Sequence, residues 1–291
     1  MTKIYANFDQ TELDREYSPS SCVDDINLFL NEYVRLSHAA KKSALAIDRC
    51  EIDLRYGVSD EETLDLFLPD ESASAPLHIF IHGGYWQALS KNESCFAANT
   101  FQGNGHYFAA LNYTLAPQKS LSGIVEEVCH AIAWLYTQAA KFGFDRDRIY
   151  LSGSSAGAHL AMMMLQTDWS EYDLPNDAIK GVCAISGIYD LQPIQLTYVN
   201  DVVQMDAQEA LRNSPALHPI RNPCPVILCY GDNETAEFKR QSGELLETLR
   251  MQNIPVSLQE IKNRNHFDIV FELLDTTTWL SMQVQEQMQG T

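Results

Sequence analysis

The segment Gly153-Ser154-Ser155-Ala156-Gly157 places a serine at the centre of the pattern G-x-S-x-G. Read alone, it serves equally well as a small-residue turn chosen for its backbone. The pattern acquires chemical meaning where it joins a strand to a helix, because the central hydroxyl then projects above a sheet from a sharp turn. RIYLSG (148–153) is short and apolar, and AHLAMMML (158–165) reads as helix, so that context is met. Ser155 also opens the helix, whose unpaired amides favour negative charge developing nearby. Ser152 and Ser154 lack that placement. The chemistry such a serine performs is nucleophilic attack on an acyl group.

A serine hydroxyl attacks at neutral pH only when a base takes its proton. Of the eight histidines, His130 and His159 lie in helical segments, His78 and His106 at strands, and His218 among prolines, where packing or solvent accounts for them. His266, in NRNHFD, follows the last predicted strand and precedes the final helix. An acid to orient its ring belongs in the loop after the preceding strand, where CYGDNETAEF offers Asp232, Glu234 and Glu237. The chain order serine, acid, histidine is that of α/β-hydrolases. Charge forming on a carbonyl oxygen needs backbone amides aimed at it. HGGYW (82–86) follows an earlier strand, and with Ala156 it makes Gly84 and Tyr85 the expected donors. No HExxH or comparable ligand set is present, so no metal and no cofactor are expected.

These residues need a scaffold, and the hydrophobic pattern supplies one. LDLFL (64–68), LHIFIH (77–82), HYFAALNY (106–113), RIYLSG, IKGVCAISG (179–187), PVILCYG (225–231) and PVSLQEI (255–261) read as strands, most too continuously apolar for a sheet wetted on one face. Helical patterns lie between them. The clearest covers 121–142, where Val125, Val128, Ile132, Leu135 and Ala139 recur at three- and four-residue steps. Others cover 237–250 and 266–286. The alternation predicts a mostly parallel sheet with helices on both faces. Ser21 and Asp24 have capping-box spacing ahead of an N-terminal helix carrying Ile26, Phe29, Leu30, Tyr33 and Val34 on one face. The proline-rich stretch 188–224 is expected as a partly helical insertion.

Length and composition agree with this. A chain of 291 residues with 45% hydrophobic content and no compositional break is expected to form one domain, 1–291. A formal net charge of -19 repels a phosphate backbone or an anionic membrane, so the expected partner is a small-molecule substrate, with no nucleic acid and no membrane, and a homodimer left open. The N-terminal residues lack a signal pattern, no apolar run is long enough to span a bilayer, and seven cysteines without CxxC spacing read as reduced thiols. The expected location is cytoplasmic.

The sequence resembles the kynurenine formamidase (arylformamidase) branch of the α/β-hydrolases, beside the hormone-sensitive-lipase-like esterases, across nearly its whole length. YSPSS (17–21), HGGYW, NYTLAP (112–117), GSSAGAHLA, SGIYDL (186–191), GDNETAEF and NHFD carry the resemblance, and HGGYW in place of HGGG favours the formamidase side. In that branch the acid follows the strand-ending glycine by three residues, and Gly231, Glu234 and Glu237-Phe238 match, which selects Glu234. Many relatives carry aspartate there, so the neighbouring Asp232 stays in view. The resemblance further implies that Tyr85, Trp86, Tyr189 and Phe267 border an aromatic substrate pocket, partly capped by the N-terminal helix and the insertion. It implies hydrolysis of N-formylkynurenine to kynurenine and formate through an acyl-enzyme. The alternatives are a broad-range carboxylesterase acting on short-chain acyl esters and, from another class, a non-catalytic scaffold on a hydrolase fold.

Overall fold

The computed structural model describes residues 2–70 and 74–290. Among them, strands β1 (Cys50–Arg55), β2 (Thr63–Phe67), β3 (Ala75–Ile81), β4 (Tyr107–Leu111), β5 (Phe144–Ser154), β6 (Ile179–Ile185), β7 (Val226–Asn233) and β8 (Val256–Asn265) form one sheet. Their order is β1-β2-β4-β3-β5-β6-β7-β8. The β1–β2 and β2–β4 pairs are antiparallel; every later pair is parallel. The helices are α1 (Gln10–Glu16), α2 (Asn27–Leu45), α3 (Ala98–Gly103), α4 (Leu121–Phe142), α5 (Ala156–Met163), α6 (Asn200–Val203), α7 (Ala207–Arg212), α8 (Ala236–Met251) and α9 (Trp279–Gln289).

Alternation along each strand divides its side chains between two layers. Leu77 and Ile79 of β3, Ala109 of β4 and Val182 and Ala184 of β6 enter one core with the buried faces of α4, α5 and α8. Phe80, Phe108, Cys183 and Ile185 enter a second core beneath α2, α3 and α9. Both faces are therefore covered, which is why these strands lack the polar half of an amphipathic pattern. Helix α4 ends at Gly143, whose φ of 91° suits the left-handed cap that lets the chain turn back into β5.

Three expectations about elements are corrected. Ser21 does not cap the N-terminal helix: Pro19–Cys22 form a short 3-10 turn, and α2 begins at Asn27 behind Ile26 without a side-chain cap. The capping box lies earlier, where the Asp9 carboxylate accepts from the Glu12 amide and Glu12 reaches back to Asp9 at the head of α1. That helix presents a single buried apolar side chain, Leu13, so it has no stripe to detect. The predicted helix 266–286 is broken: His266 lies in a loop, Ile269–Leu274 form a 3-10 segment, and α9 starts after Thr278, whose hydroxyl accepts from the Ser281 amide. Strand β1 escaped prediction because it is an edge strand whose residues are mostly exposed. The insertion is partly helical as expected, with α6, α7 and two 3-10 turns.

Candidate active site

Each chemically interesting residue is the first one past the carboxyl end of a strand. Ser155 follows β5, Ser186 follows β6, Glu234 follows β7, His266 follows β8, and His82 follows β3. In an open parallel sheet those ends share one rim, where ligands bind. The ladder between β7 and β8 runs to the pair Asn233–Asn265. The next residue on each strand is therefore set beside the other, and these are Glu234 and His266.

The imidazole Nδ1 of His266 lies 2.9 Å from Glu234 Oε2. The other oxygen, Oε1, accepts from the Ser186 hydroxyl and from the Gly231 amide, each at 2.6 Å. All three side chains are buried. With a carboxylate on Nδ1, the neutral ring carries its proton there and leaves the Nε2 lone pair available to accept one. The histidine loop is closed by its own neighbours. Asn265 Oδ1 accepts from the Phe267 and Asp268 amides, Asp268 Oδ1 accepts from the Asn265 amide, and the Tyr33 hydroxyl of α2 donates to the Phe267 carbonyl.

Ser155 has φ 56° and ψ -118°, a backbone state that costs about 1–3 kcal/mol and persists only where its surroundings enforce it. Enforcement comes from close approach: a Cβ on Gly157 would sit 2.0 Å from the Ile81 carbonyl oxygen, and one on Gly153 would sit 2.2 Å from the Gly157 carbonyl oxygen. The Ser155 amide donates to the Ile185 carbonyl at 2.8 Å, tying the turn to the neighbouring strand. Ala156 is the first residue of α5, so its amide has no partner within the helix. Among the described residues neither the Gly84 nor the Tyr85 amide donates a hydrogen bond, and both residues have positive φ, 93° and 50°.

Ser155, Gly84, Tyr85, His266 and Phe267 open onto one cavity of about 260 Å³. Leu30 and Tyr33 of α2, Ile26 just before it and Pro19 of the preceding turn cover it, and Tyr198 of the insertion joins them. The expected cap is thus built mainly by the N-terminal segment. That segment is latched to the body: the Tyr85 hydroxyl donates to the Tyr17 carbonyl at 2.6 Å, while the Tyr17 hydroxyl donates to Glu237 Oε2 at 2.7 Å.

Two expected pocket residues are corrected. Trp86 is fully buried, and its indole N–H donates to His159 Nδ1 at 3.2 Å, while His159 Nε2 meets the Asn213 carbonyl at 2.7 Å. The pair braces the glycine loop against α5 and the insertion. Tyr189 is also fully buried beneath the rim, its amide donating to Gln241 Oε1 at 2.6 Å. Large aromatic rings bury readily, and both entered the core instead of the cavity wall. Asp232 is exposed, its carbonyl taken by Lys239 Nζ at 2.7 Å, and Glu237 is engaged with Tyr17 and Arg240. Of the three acids, Glu234 meets the imidazole. Ser186 was missed as a site residue; SGIYDL begins at the end of a predicted strand, as GSSAG does, and that shared position is the signal.

Burial sets the charge of two other histidines near the rim, His82 after β3 and His159 in α5. His82 stacks on Tyr113 with ring centroids 4.1 Å apart, and burial pulls its pKa down to about 4. Burial likewise lowers His159 to about 4, offset in part by its backbone contact. Both are neutral at pH 7. No group of three or more His, Cys, Asp or Glu able to hold a metal ion is present among the described residues, and no described helix is long and apolar enough to cross a membrane.

A mostly parallel sheet with this rim of residues defines the class as an α/β-hydrolase. The BD-FAE family model matches residues 64–249. The chain is 35% identical to a kynurenine formamidase of Danio rerio over 282 residues, covering 93% of this chain and 94% of that protein. It is 33% identical to a kynurenine formamidase of Salmo salar over 296 residues, covering 98% of each. A solved structure from Silicibacter sp. tm1040, described as a thioesterase, superposes with a TM-score of 0.82 at 29% identity, covering 94% of this chain and 99% of that one. The chain belongs to the kynurenine formamidase family.

Proposed function

We propose that this chain hydrolyses aryl formamides, with N-formylkynurenine as the substrate and kynurenine and formate as the products. The observation that carries the reading is the contact of His266 with Glu234 beside a cavity that also receives the strained Ser155. Kinship with kynurenine formamidases supplies the acyl group and the leaving group.

In the reaction, Ser155 Oγ attacks the formyl carbon while His266 Nε2 takes its proton. Glu234 holds the ring and stabilises the imidazolium. The Gly84, Tyr85 and Ala156 amides receive the oxyanion. His266 then protonates the aryl amine nitrogen as the C–N bond breaks, leaving a formyl ester on Ser155. Water attacks that ester as His266 takes a proton from it; formate departs, and the proton returns to Ser155. The cycle uses no cofactor, nucleic acid or membrane, and the cytoplasm is its proposed location.

A second reading, a broad-range carboxylesterase for short-chain acyl esters, draws on the thioesterase description of the Silicibacter structure. Comparing kcat/KM for N-formylkynurenine with that for short p-nitrophenyl esters separates the two. A profile restricted to esters refutes the formamidase reading. Loss of fluorophosphonate labelling in Ser155→Ala is the expected result for the nucleophile, and undiminished labelling overturns that assignment.

A further inference from the structure

The cavity beside Ser155 is lined almost wholly by apolar and neutral polar residues, yet it includes one acidic side chain, Glu93. Glu93 ends the short 3-10 turn Lys91–Glu93 that follows the glycine loop, and it is half-buried. The Ser90 hydroxyl donates to its Oε2 at 2.7 Å, which fixes the carboxylate and leaves Oε1 for another donor. The two nearby lysines are committed elsewhere. Lys91 Nζ bonds Asp53 at 2.7 Å and Asp65 at 2.6 Å, and Lys41 Nζ bonds Asp65 at 2.6 Å and the Asn92 side chain at 2.9 Å. Among the described residues Glu93 has no ion-pair partner, and no lysine or arginine lines the cavity. A partly desolvated carboxylate without a counter-charge is costly, and an ammonium donor offsets that cost.

We propose that Glu93 is a specificity-determining residue that selects substrates carrying an ammonium group. Resting on the aryl formamide reading for the reacting bond, it assigns Glu93 to the α-ammonium of the amino-acid side chain. No lysine or arginine on the wall offers the substrate carboxylate a counter-charge, whereas Glu93 offers one to the ammonium, so the ammonium is the group the proposal places against this wall.

The test is a ratio: kcat/KM for an aryl formamide bearing an aminoalkyl side chain, divided by that for formanilide. In Glu93→Gln, which keeps the shape and the Ser90 contact, the ratio falls about 10- to 100-fold, mainly through KM of the amine-bearing substrate, as expected for losing a charge-assisted hydrogen bond. A ratio that stays within about 2-fold of the wild-type value overturns the proposal, because a purely structural role depresses both substrates together. The same ratio measured on aryl acetates with and without an ammonium reads Glu93 even where neither formamide is cleaved, so failure of the formamidase reading is distinguished from failure of this one. Should the variant not fold, inhibition of the wild-type chain by an arylalkyl ammonium and by its neutral alcohol counterpart decides the matter. Roughly tenfold tighter binding of the ammonium is expected, and equal or weaker binding refutes it.

Discussion

Glu234→Gln tests the orientation of the proposed base most sharply, because the structure dictates how the new amide must sit. Glu234 Oε1 receives two donors, the Ser186 hydroxyl and the Gly231 amide. A glutamine must therefore keep its carbonyl oxygen at that position. Turning it over would aim its NH2 at the Gly231 N–H, donor against donor. The NH2 is then forced toward His266 Nδ1, where the carboxylate stood at 2.9 Å. The ring must present a lone pair there, which moves its proton to Nε2 and removes the acceptor that the proposed mechanism gives Ser155. The expected fall in kcat is about 10³ to 10⁴, or roughly 4–5.5 kcal/mol of transition-state stabilisation, with little change in KM. Asp232→Asn, altering an exposed side chain, should stay within about 2-fold. Steady-state rates on N-formylkynurenine and the rate of fluorophosphonate labelling measure both. A fall smaller than about 10-fold for Glu234→Gln, or an equal fall for Asp232→Asn, refutes the tautomer argument.

Ser186→Ala removes one of the donors on Glu234, and kcat should drop roughly 10-fold while Glu234→Gln remains the more severe change; kinetics of the two variants side by side give the ranking. Gly157→Ala drives a methyl into the Ile81 carbonyl, so the urea midpoint should fall by the equivalent of roughly 3 kcal/mol, and a midpoint unchanged from wild type counts against the close packing of β3 on α5. His78, His82 and His159 have folded-state pKa values lowered by burial to about 3, 4 and 4. Between those values and about 6.5 the unfolded chain binds more protons, so stability present at pH 7 is lost as the pH falls through that window, by about 2 kcal/mol per imidazole at pH 5. Urea titrations at pH 7 and pH 5 check this, and His159→Gln should lessen the difference between them.

The alternation of apolar strands and helical stripes follows from burying both faces of a sheet, and it is legible because that burial imposes a period on the chain. Helix α4 appears at its predicted bounds for this reason. Where burial is one-sided or slight, as in β1 and α1, no period is imposed and the elements stay invisible. The turn around Ser155 was legible because tight approach admits only small residues, which leaves a mark on composition.

The local sequence by itself determined a serine at a strand-to-helix turn, a histidine beyond the last strand, a glycine loop beyond an early one, and a short stretch from which an acid must come. Which acid faces the imidazole was decided by the ladder that pairs Asn233 with Asn265 and so sets the following residues side by side. Tertiary packing also drew Trp86 and Tyr189 into the core, brought Ser186 to the carboxylate, laid α2 over the cavity and put Glu93 on its wall. The physical reason is range. Turn chemistry and hydrophobic period act over a few neighbouring residues and are written locally, whereas register and burial depend on partners many positions away, whose distances exist only after the chain has folded.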